Sequence, residues 1–125
     1  MNPVKIQKKL ERRYPGKKII KNNGTNPTEI LCEVDPSGNH PQYSLAVSVL
    51  DRSFPHVHWK ATERYKVIKG KLKIFKDGQG YLLKAGEELT INPGEVHWAE
   101  GHETWIECYS EPGWVLEDHI LKEGK

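Results

Sequence analysis

The chain has 125 residues, a length that suits one domain with a single hydrophobic core. Hydrophobic residues make up 36% and charged residues 29% of it, and 11 Gly and 8 Pro favour short strands joined by turns. It contains no apolar run of about 18 residues, and its first residues lack the apolar core of a signal peptide. We therefore expect a cytoplasmic protein with no membrane partner.

The net charge of +2 hides an asymmetry along the chain. Residues 1–21 carry eight Lys or Arg and one Glu, a balance of +7, whereas the remainder carries eleven basic and sixteen acidic residues, a balance of −5. Such a basic segment can bind nucleic acid or anionic lipid, or it can pack on the acidic remainder or stay solvated. Because it shows no recognition motif, we expect no nucleic-acid partner.

Residues 1–16 predict a basic helical arm. Asn2 can cap a helix that has proline in its first turn. An apolar stripe then recurs every four residues, formed by Ile6, Leu10 and Tyr14. A Pro-Gly pair ends the predicted helix.

Residues 17–121 predict a single β domain. Short apolar runs alternate with turn-forming residues at regular intervals, and no βαβ alternation occurs. Predicted strands cover 17–21, 29–34, 43–49, the segment around 56–58, 65–68, 71–75, 81–83, 89–91, 96–99 and 104–109. A turn is predicted at 100–103, and residues 114–121 form either a last strand or a short helix. The pattern favours an all-β sandwich or barrel.

A candidate metal site comes from four residues. His56 and His58 are separated by one residue, so in a strand they point to the same side. Glu63 follows after a tight turn, and His97 offers a fourth ligand further along. Neutral imidazoles with one carboxylate suit one divalent transition metal ion: Mn, Fe, Co, Ni, Cu or Zn.

The spacing of these residues resembles the first of the two motifs of the cupin superfamily. That motif has two histidines separated by one residue, a glutamate three or four residues later, and a glycine after six more. His56, His58, Glu63 and Gly70 match it throughout residues 56–70. Leu50 stands where the superfamily usually has a glycine, a departure that affects a backbone turn rather than a ligand.

The second motif resembles residues 86–97. Gly86, Gly94 and His97 have its spacing, with seven and two intervening residues. Asn92 stands where a proline is usual, and proline follows one place later. The two motifs together are far more specific than a histidine pair alone.

The resemblance implies a small single-domain, RmlC-like cupin. Its fold would be a double-stranded β-helix, or jelly-roll, barrel with a short N-terminal helix. The metal ligands would be His56, His58, Glu63 and His97. Small cupins commonly pair through sheet edges, so the resemblance also implies a homodimer.

Three further residues are candidates for catalysis. The alternation of side chains places Tyr65 on the same strand face as Glu63, where it could contact a substrate or act as an acid. His102 and Glu107 are candidates for proton transfer because they lie near the presumed mouth of the barrel.

Three classes of function stay open, and one of them is a structural protein in which metal binding is vestigial. A metal-dependent enzyme would act on a small polar metabolite, a sugar or organic acid, by isomerase or lyase chemistry or, with iron, as a dioxygenase. The alternative is a non-catalytic module that binds or senses a sugar or another small molecule. We favour the enzyme. A proton-transfer residue near the metal would support it, and a purely apolar pocket would argue against it.

Overall fold

The computed structural model describes residues 1–122, within which one α-helix precedes ten β-strands. The helix is α1 (Pro3–Arg13), and a single 3-10 turn, η1 (Leu116–Asp118), lies near the C-terminus. The strands are β1 (Lys18–Lys21), β2 (Glu29–Asp35), β3 (Ser44–Arg52), β4 (His56–Val57), β5 (Thr62–Lys69), β6 (Lys71–Lys76), β7 (Gln79–Lys84), β8 (Glu88–Ile91), β9 (His97–Glu111) and β10 (Ile120–Leu121). No helix among the described residues is long and apolar enough to cross a membrane.

Strand β9 pairs with four other strands of the barrel. Its C-terminal part pairs with β3 on one edge and β5 on the other. Its N-terminal part pairs with β4 and β6, and all these pairings are antiparallel. The resulting ten-stranded sheet curls into a jelly-roll barrel, which confirms the predicted all-β class.

One predicted turn is absent from the structure. The sequence predicted a break at 100–103, but β9 runs through it without interruption. The turn-forming residues instead produce a bulge, with a shift of register between Leu50 and Arg52 on the facing strand and a positive φ of 44° at Glu103. Because neighbouring strands continue on both sides, the backbone stays hydrogen-bonded and the strand bends rather than ends.

The helix α1 packs against the outside of the barrel. Ile6 and Leu10, the first two residues of the predicted stripe, are 2% and 0% exposed. They pack in an apolar cluster with Ile30, Val49 and Trp105. The basic N-terminal segment therefore lies against the barrel, which is one of the arrangements that the sequence left open.

The barrel interior is apolar at one end and holds a cavity at the other. Inward-facing side chains fill the first end, including Val67, Leu72, Ile74, Ile91 and Ile106. Towards the other end the same strand faces carry polar groups, since Glu63 and Tyr65 precede Val67 on β5 with alternate spacing. Along β5 the inward-facing side chains thus change from cavity-lining to core residues.

The C-terminal segment combines the two structures between which the sequence did not decide. After β9, η1 forms a short 3-10 turn and β10 adds a strand. Strand β10 pairs with β4, so that Ile120 lies opposite Val57 and Leu121 opposite His56. The segment is thereby attached next to the two histidines, and residues 123–125 lie outside the described part of the chain.

Truncation of Leu10 tests the docking of α1. Because Leu10 is fully buried against the barrel, Leu10→Ala should lower the free energy of unfolding by about 3 kcal/mol. Val4→Ala is the control, since Val4 is 65% exposed on the same helix. Urea denaturation measures both, and equal stabilities of the two variants would contradict the packing described here.

Candidate metal centre

The structure brings together the four residues that the sequence predicted as ligands. Strand pairing places His56 directly opposite His97, while Glu63 enters from β5 and His58 follows β4. One candidate ligand atom from each residue lies within 4.8 Å of all the others. All four side chains are buried, and His97 is 0% exposed.

Each imidazole is oriented by a backbone carbonyl. A carbonyl only accepts hydrogen bonds, so the Nδ1 atom that contacts it carries the proton and Nε2 keeps its lone pair. The carbonyls belong to Phe54 for His56 (2.8 Å), Asp118 for His58 (2.9 Å) and Glu95 for His97 (2.9 Å). This arrangement leaves three Nε2 atoms as ligands that face the centre of the cluster.

The cluster fits a divalent cation. The Oε1 atom of Glu63 lies 3.2 Å from Nε2 of His58 and 3.2 Å from Nε2 of His97. Nε2 of His58 is nevertheless buried without a hydrogen-bond partner among the described residues. Three lone pairs and a carboxylate that converge in a buried space match the preference of transition metals for nitrogen and oxygen ligands.

The electrostatics of the cluster favour the metal-binding protonation state of Glu63 and of His56. Burial alone would raise the pKa of Glu63, but His58 and His97, which can donate to it and carry charge when they are protonated, hold that pKa well below its usual range. Burial, reinforced by charge on His97 and His119, lowers the pKa of His56 to about 3. Burial would also lower the pKa of His58, yet the neighbouring Glu63 raises it overall. At neutral pH Glu63 is therefore ionised and His56 is neutral.

A cavity of about 270 Å³ adjoins the cluster. His56 and Glu63 form part of its wall, so a molecule in the cavity would lie next to the metal ligands. The tail after β9 closes another side with Trp114, Leu116 and His119. The cavity is consequently built by the barrel and by the C-terminal segment together.

Tyr65 lies where the strand alternation predicted. Its side chain lines the cavity and is 6% exposed, and its ring centroid is 5.8 Å from that of His97. Burial and the charge of Glu63 raise the pKa of Tyr65 well above its usual value. The phenol thus stays protonated and can act as a hydrogen-bond donor.

The structure does not bring His102 or Glu107 to the cluster, which corrects the expectation from sequence. His102 is exposed in the bulge of β9. Glu107 lies between Ile106 and Cys108, which face the core and the cavity, so alternation directs it to the outer face. The expectation rested on nearness to the presumed mouth of the barrel and took account of neither the bulge nor the alternation of side chains.

His119 belongs to the site although it lies outside both motifs. Its ring stacks on that of His56, with centroids 4.2 Å apart and planes inclined by 14°. The indole of Trp114 donates to its Nδ1 at 3.2 Å, which leaves the proton of the neutral ring on Nε2. Burial and charge on His58 lower the pKa of His119 to about 4. No spacing rule in the sequence indicated this residue.

Asp118 is the second residue that the sequence analysis missed. Its carboxylate accepts hydrogen bonds from the amides of Trp59, Lys60 and Ala61, at 2.9 to 3.2 Å. Its backbone carbonyl accepts a hydrogen bond from Nδ1–H of His58. One buried residue therefore fixes both the loop after β4 and the orientation of a candidate ligand.

No family model and no curated protein matches the sequence. Solved structures do match. Streptomyces Pac13, described as a nucleoside dehydratase, has a TM-score of 0.75 and 11% identity, over 89% of this chain and 90% of that chain. A Pac13 structure with uridine has a TM-score of 0.77 and 12% identity, over 88% of each chain.

Two further solved structures have the same fold. KdgF from Halomonas sp. has a TM-score of 0.63 and 16% identity, over 72% of this chain and 85% of that chain. An RmlC-like cupin from Shewanella frigidimarina has a TM-score of 0.66 and 17% identity, over 82% and 88%. At such identities the likeness shows the fold alone, and that fold is the β-barrel of the small cupins.

Replacement of Asp118 tests the link between the tail and the cluster. Asp118→Ala leaves three amides without their acceptor, so we expect a loss of about 2 kcal/mol or more in the free energy of unfolding. The backbone carbonyl that orients His58 remains, but the carboxylate no longer holds its segment against the loop after β4, so metal affinity should fall roughly 10- to 100-fold. Competition with a chelator measures the affinity. Glu117→Ala, at the exposed neighbouring carboxylate, should change neither quantity.

Acidification should destabilise the metal-free protein. Folding lowers the pKa of His56 to about 3 and that of His119 to about 4, both from 6.5. The unfolded chain therefore binds more protons below about pH 6.5, and stability falls as the pH drops towards 4. The raised pKa of His58 has the opposite effect on the free energy of unfolding. It is a single group, whereas two histidines have lowered pKa values.

Urea denaturation of the metal-free protein measures this dependence. We expect the free energy of unfolding to be at least about 1 kcal/mol lower at pH 4.5 than at pH 7. His56→Gln removes one of the two groups and should flatten the profile. A wild-type protein of equal stability at both pH values would contradict the assignment of neutral, buried histidines.

Proposed function

We propose that the protein binds one divalent transition metal ion and acts as an enzyme on a small polar metabolite in the adjoining cavity. The ligands are His56, His58, Glu63 and His97. The observation that carries the proposal is the orientation of the three imidazoles, each held through Nδ1 so that Nε2 faces the carboxylate. The unpartnered Nε2 of His58 supports the same conclusion.

A divalent ion at this place would supply a Lewis acid that polarises a carbonyl or hydroxyl oxygen. The side chains around it supply the remaining functions of an enzyme. Tyr65, which stays protonated, donates a hydrogen bond to an oxygen of the bound molecule. His119 presents Nε2–H from the tail. These polar groups favour catalysis over passive binding, because a purely apolar pocket would offer no proton donor.

The reaction class that this arrangement suits is isomerisation or elimination. Both reactions develop negative charge on an oxygen that the metal would polarise, and Tyr65 provides a hydrogen-bond donor to that oxygen that stays protonated across the neutral range. The likeness in fold to a nucleoside dehydratase supports a lyase. Dioxygenase chemistry belongs to the same proposal only if the bound metal is iron.

A non-catalytic binding or sensing module is the second candidate. Apolar side chains cover much of the cavity wall, including Leu31, Leu45 and Leu116. Such a wall suits the apolar face of a sugar or similar ring. Turnover of a bound compound separates the enzyme from this alternative, since a sensor would bind the compound without consuming it.

Homodimer formation stays a prediction. Exposed apolar side chains lie in or next to the short strands β4 and β10. Phe54 is 40%, Trp59 58% and Leu121 62% exposed. Contact with a second copy would cover them and the free edge of β10. Sedimentation velocity measures the oligomeric state.

Removal of single ligands tests the metal site. His58→Ala and His97→Ala should each weaken metal binding at least about 100-fold, because loss of a direct ligand costs more than loss of its supporting partner. Elemental mass spectrometry of the purified proteins measures the metal per chain, and the wild type should hold one ion. His102→Ala changes an exposed histidine of β9 and serves as the control. Full metal content in either ligand variant would contradict the site.

A further inference from the structure

The described residues that line the cavity beside the metal cluster include acidic side chains but no Lys or Arg. The carboxyl groups of Glu29 and Glu33 are among these acidic side chains. Both lie on β2 and alternate with Ile30 and Cys32, which pack towards α1 on the outside. Apart from a bound metal ion, the cavity therefore offers no positive partner for an anionic ligand.

The serine hydroxyls around the cavity hold the tail. Ser37 donates to the carbonyl of Trp114 at 2.7 Å, and Ser110 donates to that of Pro112 at 2.8 Å. Ser44 accepts from the amide of Trp114 at 2.9 Å. Because each of these hydroxyls already makes a hydrogen bond within the fold, the carboxyl groups are the strongest acceptors in the cavity wall.

Glu29 is built into the wall with one oxygen free. Its Oε2 accepts a hydrogen bond of 2.7 Å from Ser48, which is 0% exposed, and its backbone amide donates to Asn22. No described residue donates to its Oε1. Burial raises the pKa of Glu29, and the hydrogen bond from Ser48 opposes that change. Glu29 is thus a fixed acceptor in the cavity beside the metal cluster, and its Oε1 can still accept a hydrogen bond. It favours a ligand that donates one.

We propose that the ligand of this cavity is an uncharged, hydroxyl-bearing ring compound with an apolar face, such as a sugar or a nucleoside, and that Glu29 accepts a hydrogen bond from one of its hydroxyls. The apolar wall packs on the ring. A phosphate group away from the metal would lie among the carboxyl groups of Glu29 and Glu33, with no Lys or Arg of the described residues in the cavity wall, so phosphorylated compounds are rejected. The volume of about 270 Å³ suits a compound of this size rather than a large one. This inference rests on the proposed function, since the metal cluster is one wall of the site.

Matched probes test the inference on the metal-loaded protein, after its metal content has been measured. The pairs are uridine with uridine 5′-monophosphate and glucose with glucose 6-phosphate, with dissociation constants from titration calorimetry. We expect at least one uncharged member to bind, and to bind at least tenfold more tightly than its phosphorylated partner. Glu29→Gln should narrow that preference to about threefold or less, because it removes the charge that repels phosphate and keeps the shape of the side chain.

Two further variants complete the design. Glu33→Gln removes the other cavity carboxyl and should narrow the preference in the same direction, which keeps the test valid if Glu29→Gln fails to fold. Glu107→Gln makes the same chemical change on the outer face of β9 and should leave the preference unchanged.

The outcomes separate the two proposals. A protein that binds no metal contradicts the proposed function and this inference with it. A metal-loaded protein that binds the phosphorylated members as tightly or more tightly, or that binds none of the uncharged probes, overturns the inference alone. An equal change of preference in Glu29→Gln and Glu107→Gln would also overturn it.

Discussion

A carboxylate that is buried as deeply as Glu63 has to be neutralised, and much of the local structure follows from that requirement. Three imidazoles surround it, and the Nδ1–H of each donates a hydrogen bond to a backbone carbonyl. The nitrogen lone pairs then face the negative charge, an arrangement that suits a cation between them. Without a cation, a proton on His58 is the partner that the raised pKa of this residue indicates.

The C-terminal segment connects this charge balance to the ligand cavity. Asp118 ties the loop after β4 to the tail and orients His58 through its carbonyl. The next residue, His119, stacks on His56, and Trp114 closes the cavity from the same segment. The tail therefore shapes both the candidate metal centre and the space for a bound molecule. Changes in one are expected to affect the other.

Sequence reasoning succeeded where local rules decide the structure and failed where they do not. The alternation of side chains placed Glu63 and Tyr65 on the inner face of β5, and the apolar stripe of residues 1–16 predicted the buried face of α1. The same alternation, applied to β9, would have placed Glu107 outside. The bulge at 100–103 could not be seen, because turn-forming residues are compatible with both a turn and a bent strand.

By itself, the sequence determined the strand-rich class, the nearness of His56 and His58 at one site, although His58 lies just past the end of β4, and the distance along the chain to Glu63. These features depend on a repeat of two residues and on short turns, both of which are local. Only the tertiary structure decided that His97 lies opposite His56, that Asp118 holds the loop and that His119 stacks on the cluster. Such contacts join residues that are far apart in the chain, and strand register and closure of the barrel set them rather than any local pattern.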